Sequence, residues 1–287
     1  MFNGKAIYRP KGKAAEYAEW ACNFYIGCSN NCSYCYLKKG RGAKVLGGNE
    51  PILKKCFRDE NHALEVFKKE LMQNLPELQK HGLFFSFSTD PMLNKMRLEN
   101  GEHLTISALA IACYYRVPVK ILTKRADIIH HFIMTEKYKE HRSLEFVIEK
   151  YKPLIAIGFT LTGHDELEPG ASTNAERIEA MKKLHDAGFK TFASIEPIID
   201  FDSSYEMIEQ TMGFCDLYLI GLMSGKKYDI FELMKFISNV VTSTRSNGNA
   251  TKVYFKDSLL KIAIFDRSEL PSNCIGRDYN IFNQLTN

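Results

Sequence analysis

Alternation of short apolar runs with helix-like stretches constrains this chain more than any other feature. Runs rich in apolar, β-branched and aromatic residues stand at 83–89, 119–124, 154–162, 190–198 and 217–222, with a weaker one at 22–26. Between them, residues 61–75, 103–115, 127–150, 174–187 and 204–213 read as helices. The fourth is the best marked: Ser172 or Asn174 can cap it, Ile178, Met181 and Leu184 form one stripe, and Gly188 ends it. Repeated β-α units with apolar strands imply a parallel sheet covered by helices. Six such units suit either an open doubly wound sheet or part of a β/α barrel. Both place chemistry at the C-terminal ends of the strands.

After about residue 226 the pattern changes. A long helix (229–242), a polar stretch at 246–249, a short strand near 253–256 and an irregular tail follow. The expected organisation is therefore a main domain over 1–225 and a C-terminal extension over 226–287 packed on it. With 287 residues, the chain needs no disulfide or structural metal to hold a core. Hydrophobic residues at 45% and charged residues at 25% exclude a disordered or fibrous chain. The 38 Lys and Arg against 34 Asp and Glu make the chain mildly basic. No apolar run reaches the 18 or more residues of a membrane span, so no membrane role is expected. Lys5, Arg9, Lys11, Lys13, Glu16 and Glu19 interrupt the first twenty residues, which therefore lack a secretory core. A reducing, cytoplasmic setting is the expectation, and there the eight cysteines are not disulfides.

Cys22, Cys56, Cys113, Cys215 and Cys274 are scattered, but Cys28, Cys32 and Cys35 form a Cys-x3-Cys-x2-Cys run directly after the first strand. Thiolates at this spacing on a tight loop can converge on one metal centre. Structural zinc takes four protein ligands, and no nearby Cys or His completes a finger. Three thiolates fit better on a [4Fe–4S] cluster that leaves one iron open. A non-enzymatic zinc or iron–sulfur module remains the alternative.

With the aromatic Tyr34 just before the last cysteine, the motif resembles the signature of the radical S-adenosylmethionine superfamily. The resemblance implies a partial (β/α)6 barrel with the cluster on the loop after the first strand. It also implies S-adenosylmethionine chelated to the open iron. An electron from an external donor such as a flavodoxin or ferredoxin then yields methionine and a 5′-deoxyadenosyl radical. A narrower similarity runs over about residues 20–225: NFYIGC (23–28), CYL (35–37), STDP (88–91), ILTK (121–124) and EPGAS (168–172), leading into AERIEA (175–180) and AG (187–188). These are similar to the branch holding spore photoproduct lyase and the DNA repair photolyase-like proteins. That branch implies a nucleic-acid substrate; a radical reaction on another substrate class is the rival. In the lyase, a hydrogen-donating cysteine stands three positions before the Asp of the STD motif. Here that position is Phe87, which has no thiol to donate.

By this resemblance, Lys124 contacts the methionine carboxylate and Thr160, at the end of the fourth strand, contacts ribose. Thr162 stands where the branch has an amide. Asp90, following Ser88 and Thr89 at the end of the second strand, can bind the methionine amine or a ribose hydroxyl, or merely open an Asp-Pro turn. Tyr34 completes the expected cofactor contacts. Glu196 either points into the barrel toward a ligand or pairs with a cation. Arg177 is expected to pair with an acid such as Glu168 or Glu196. The run Gly47-Gly48-Asn49-Glu50 reads as a loop. Lys38, Lys39, Arg41, Lys44, Lys54, Lys55 and Arg58 against Glu50 alone can steer an anionic polymer or simply form a solvated segment. His130 and His131 have no metal-spaced partner.

Overall fold

The computed structural model describes residues 4–39, 43–133, 148–246 and 251–282. Ten strands are present among them: β1 (Ile7–Tyr8), β2 (Ala21–Cys22), β3 (Tyr25–Ile26), β4 (Ile52–Leu53), β5 (Leu83–Phe85), β6 (Val119–Thr123), β7 (Ile155–Thr160), β8 (Lys190–Ile198), β9 (Leu217–Leu222) and β10 (Lys252–Phe255). Eight form one sheet in the order β1-β2-β5-β6-β7-β8-β9-β10. Its neighbours from β2 to β10 run parallel, and β1 is antiparallel to β2. β3 and β4 form a separate antiparallel pair. Among the described residues, helices lie between most consecutive parallel strands, and 3-10 turns between β6 and β7, which makes the fold the expected partial barrel. The late strand falls at Lys252–Phe255 and extends the sheet beyond β9.

Strand side chains alternate between two cores. On β7, Ile155, Ile157 and Phe159 face the helices together with Met181 and Leu184, while Ala156 faces the lumen with Phe84, Phe192 and Tyr254. Buried parallel strands need apolar residues on both faces, and these strands supply them. Gly158 lies on the lumen side, where an added Cβ would stand 2.3 Å from the Phe192 ring. The lumen is also filled by Tyr17 and Ala18 from one end of the chain and Ile281 and Phe282 from the other.

Several boundaries differ from the sequence expectation for physical reasons. The run 22–26 is two strands, broken at buried Asn23, whose side chain accepts Phe87 N–H at 2.8 Å. The run 83–89 is a strand only to Phe85. Residues 86–90 leave the sheet, with Ser88 Oγ donating to the Tyr25 carbonyl at 2.6 Å. The first long helix breaks at Asn74, ahead of Pro76, into Glu60–Gln73 and Leu75–His81. The helix Asn174–Asp186 is capped by Thr173 in a capping box with Glu176, so neither Ser172 nor Asn174 is its cap. Of the stretch expected as a helix over 127–150, Ala126–His131 is a 3-10 turn, and residues 134–147 lie outside the described part. The later helices are Phe201–Thr211, Ile230–Ser246 and Asp257–Ala263.

Candidate active site

The loop that leaves β3 carries Cys28, Cys32 and Cys35 to the C-terminal end of the parallel strands. All three are free thiols and line one pocket with Asn31, Leu37, Lys38, Leu46, Gly47 and Gly48. Gly27 (φ +77°) makes the turn into this loop, and Cys28 N–H donates to the Gly48 carbonyl at 3.0 Å. The Gly47-Gly48 run is indeed a loop, and it forms one wall of the pocket. Burial pushes the Cys28 thiol up to about 11, and nearby Asp90 adds to the rise. Burial also raises Cys32, against the lowering effect of Lys124. A metal centre would reverse this, because coordination deprotonates a thiol outright.

Asp90 is buried and accepts from four donors. Asn30 Nδ2 (2.7 Å) and Lys124 N–H (2.8 Å) reach Oδ2, while Thr123 Oγ1 (2.7 Å) and Met92 N–H (3.0 Å) reach Oδ1. Those donors take up the acceptor positions of a carboxylate. Asp90 therefore ties the cysteine loop to the ends of β5 and β6. Beside this hub, Asn30 Oδ1 and Thr89 Oγ1 are buried without a hydrogen-bond partner. Orphaned buried oxygens of this kind call for a partner that a bound molecule can supply.

Tyr34 donates its hydroxyl to Glu168. Glu168 also receives Arg177 Nη2, and Lys124 Nζ stands 3.6 Å from it. The same ammonium lies 5.5 Å from the centre of the Tyr34 ring. Arg177 Nη1 donates to the Thr160 carbonyl at 2.5 Å, so Thr160 joins this group through its backbone. The structure thus gathers Tyr34, Lys124 and Thr160 around a Glu168–Arg177 pair, and selects Glu168 over Glu196 as the partner of Arg177. Thr162 is buried, its N–H bound to Asn174 Oδ1 at 3.0 Å.

Glu196 faces the lumen, paired with Lys256 at 2.7 Å and accepting from the Tyr17 hydroxyl at 2.5 Å. Phe87 stacks on Phe84 with ring centres 4.6 Å apart and meets Tyr17 edge-on at 6.1 Å. Of the basic run, Lys54 is tied to the Asn23 carbonyl at 3.1 Å and Lys38 to Asn31, while Arg41 lies outside the described residues. The His130 and His131 rings lie 4.0 Å apart, tilted by 44°, near the buried His103. Glu168 carries more of the site than its sequence suggested. Its signal was the Glu-Pro-Gly run after β7, legible as a motif but silent about what the carboxylate holds.

A partial barrel of parallel strands with a three-cysteine loop at its C-terminal mouth defines a class, and the Radical SAM superfamily pattern matches residues 22–215. The chain belongs to that superfamily and is a radical S-adenosylmethionine enzyme. It is 26% identical over 220 residues to the uncharacterized protein MJ0683 of Methanocaldococcus jannaschii, covering 73% of this chain and 72% of the relative. Its fold is similar to that of a spore photoproduct lyase mutant with bound AdoMet and dinucleoside spore photoproduct. That likeness has a TM-score of 0.56 and 13% identity, over 84% of this chain and 76% of the other. It is also similar to Streptococcus suis SuiB bound to precursor peptide SuiA, with TM-score 0.54 and 12% identity, over 88% of this chain and 52% of SuiB. Among the described residues, no helix is long and apolar enough to cross a membrane.

Superfamily membership implies S-adenosylmethionine and a [4Fe–4S] cluster, and the residues present fit both. Among the described residues, no three Cys, His, Asp or Glu side chains converge on a geometry for one metal ion. The three thiols instead surround a pocket, which suits a cluster in which each thiolate takes its own iron. The orphaned Asn30 and Thr89 oxygens suit a polar cofactor beside it.

Proposed function

We propose that Cys28, Cys32 and Cys35 hold a [4Fe–4S] cluster, that Tyr34, Lys124 and Thr160 form the S-adenosylmethionine site, and that the radical made there acts on a nucleic acid. The observation that carries this reading is the shared pocket of the three thiols at the strand ends. A cluster held by Cys28, Cys32 and Cys35 would supply one-electron reduction of the sulfonium, fed by an external reductant, the chemistry that would give methionine and a 5′-deoxyadenosyl radical. Lys124 offers its ammonium as a point charge for the methionine carboxylate. Tyr34 and Arg177, through Glu168, keep that ammonium beside the cysteine loop. Asp90, whose oxygens are occupied by protein donors, fixes the loop and serves as a scaffold for the cofactor. The aromatic lumen behind the site, with Phe84, Phe87 and Tyr17, keeps water from the radical.

The nucleic-acid part of the reading rests on the mild excess of positive charge and on exposed Lys11, Lys13, Lys226 and Lys227. Lys13 Nζ bonds Ser224 Oγ at 3.1 Å, which joins the two lysine-bearing segments beyond the end of β9. Phe87 removes the thiol that the lyase uses, so the hydrogen returned to substrate comes from another group. The domain organisation follows the same reading: the cofactor site lies within 1–225, and residues 226–287 serve the substrate side through exposed Lys226 and Lys227. The test is anaerobic reconstitution with iron and sulfide, reduction, and measurement of 5′-deoxyadenosine with and without DNA or RNA. Nucleic acid should raise 5′-deoxyadenosine yield in a salt-sensitive manner. No 5′-deoxyadenosine under any condition would refute the cofactor assignment, and a yield that DNA and RNA leave unaltered would refute the substrate class.

A further inference from the structure

We propose that Glu168 is a positioning residue that couples the cysteine loop to the Lys124 ammonium, so that seating of the cluster and binding of S-adenosylmethionine depend on one carboxylate. The inference rests on the proposed cofactor site and adds to it a residue and a coupling.

The Glu168 and Arg177 side chains are both fully buried. Arg177 has little freedom, because its Nε donates to the Ser172 carbonyl at 2.9 Å and its Nη1 to the Thr160 carbonyl at 2.5 Å. The guanidinium is thereby fixed to the end of β7 and the start of the following helix, and it holds Glu168 Oε2 in place. The other oxygen, Oε1, faces outward from this anchor and serves two clients. One is the hydroxyl of Tyr34, which stands between Cys32 and Cys35. The other is Lys124 Nζ at 3.6 Å, beyond ordinary hydrogen-bond distance. Two cations thus share one carboxylate, and the ammonium keeps donors free for an arriving anion.

The backbone repeats the pattern. Ser33 N–H donates to the Leu167 carbonyl at 2.9 Å, and Gly170 N–H to the Asn30 carbonyl at 3.1 Å, so the loop after β7 clasps the cysteine loop. Ser172 N–H donates to the Lys124 carbonyl at 3.0 Å, so the same stretch also fixes the end of β6. The approach is close enough that a Cβ on Gly170 would stand 2.1 Å from the Ser29 carbonyl oxygen. A shift of residues 168–172 must therefore move the thiols and the Lys124 ammonium together.

The experiment compares wild type with Glu168→Gln, Tyr34→Phe and the double variant. Hydrogen exchange is measured on the cluster-free protein, and S-adenosylmethionine affinity and the electron paramagnetic resonance spectrum of the reduced cluster after reconstitution to equal iron. Glu168→Gln should speed exchange at Ser33 and Gly170 by tenfold or more, with β7 and β8 amides unchanged. It should also weaken S-adenosylmethionine binding about tenfold, within the usual range of coupling between sites. The double variant should be no weaker than Glu168→Gln alone, because both changes break one link. If Glu168→Gln does not fold, Tyr34→Phe, which removes a single hydroxyl, must by itself speed exchange at Ser33. Unchanged exchange and affinity, or additive losses in the double variant, would overturn the coupling. Exchange is read before iron is added, so a wild type that takes up no cluster refutes the proposed function separately, and the Ser33 and Gly170 rates still decide the link between the loops.

Discussion

Lys256 and Glu196 meet at 2.7 Å inside the barrel, the first from the end of β10 and the second from β8, with β9 between them. The contact passes over Gly221, where any Cβ would stand 2.7 Å from the Glu196 carboxyl carbon. Lys256 is nearly buried at 4% side-chain exposure and Glu196 keeps 19%, so the pair is shielded but not dry. Lys256→Met should destabilise the fold by about 2–4 kcal/mol, somewhat below the cost of stranding a fully buried charge. Adding Glu196→Gln should recover part of that loss. Urea denaturation of the two single variants and the double checks this, and strictly additive losses would contradict it.

Cluster binding should need three thiolates and no others. Cys28→Ala, Cys32→Ala and Cys35→Ala should each abolish the brown absorbance after anaerobic reconstitution. Cys113→Ala and Cys215→Ala, both in the core that faces the helices, should leave it intact. Stoichiometric zinc in the anaerobically purified protein, with no iron uptake, would contradict the assignment.

Lys124→Ala should leave iron content unchanged, because Arg177 still satisfies Glu168 and Asp90 still holds the loop through Asn30. S-adenosylmethionine affinity should fall about tenfold to a hundredfold, the worth of a charge-assisted contact of roughly 1.5–3 kcal/mol. Equilibrium binding on the loaded, unreduced protein measures it.

A pH-dependent link should join the loops after β7 and β8. His164 lies between Glu166 at 2.8 Å and Asp200 at 2.5 Å, and Asp200 also caps the helix Phe201–Thr211. Partial burial lowers the imidazole pKa, but the two carboxylates outweigh it and hold it above the usual 6.5. A group raised on folding contributes stability that is fully present below its unfolded pKa and is lost as pH rises through the folded value. The difference in Tm between wild type and His164→Gln should therefore be largest below about pH 6.5 and shrink above it. A difference that does not change with pH would remove the link.

The sequence revealed the fold because its runs are long and doubly apolar: 190–198 and 217–222 are strands over the whole expected length. It misjudged the ends at 22–26 and 83–89, where one polar side chain, Asn23, takes hydrogen bonds from the backbone of Phe87 and leaves no ladder to extend. The cysteine loop was legible because its spacing is local. Asp90 is legible as an acid at a strand end, but the sequence carries no mark of the four donors that surround it. Glu168 was nearly invisible in its role, because its partners Tyr34, Lys124 and Arg177 come from three separate stretches of chain.

The segment Gly12–Glu16 leads into Tyr17, which lies in the lumen, far in sequence from the strands it touches. Glu16 accepts from the Tyr254 hydroxyl across 238 positions, and Tyr17 reaches Glu196 across 179. A chain still being synthesised holds these early residues long before their partners exist. The open side of the barrel is therefore among the last parts to close, and its closure bears the entropy of the longest loops in the molecule. Until β10 is added, Glu16 and Tyr17 stand without the Tyr254 and Lys256 that cover them. The nascent protein thus passes through a stage with an uncovered aromatic interior that the finished enzyme never shows.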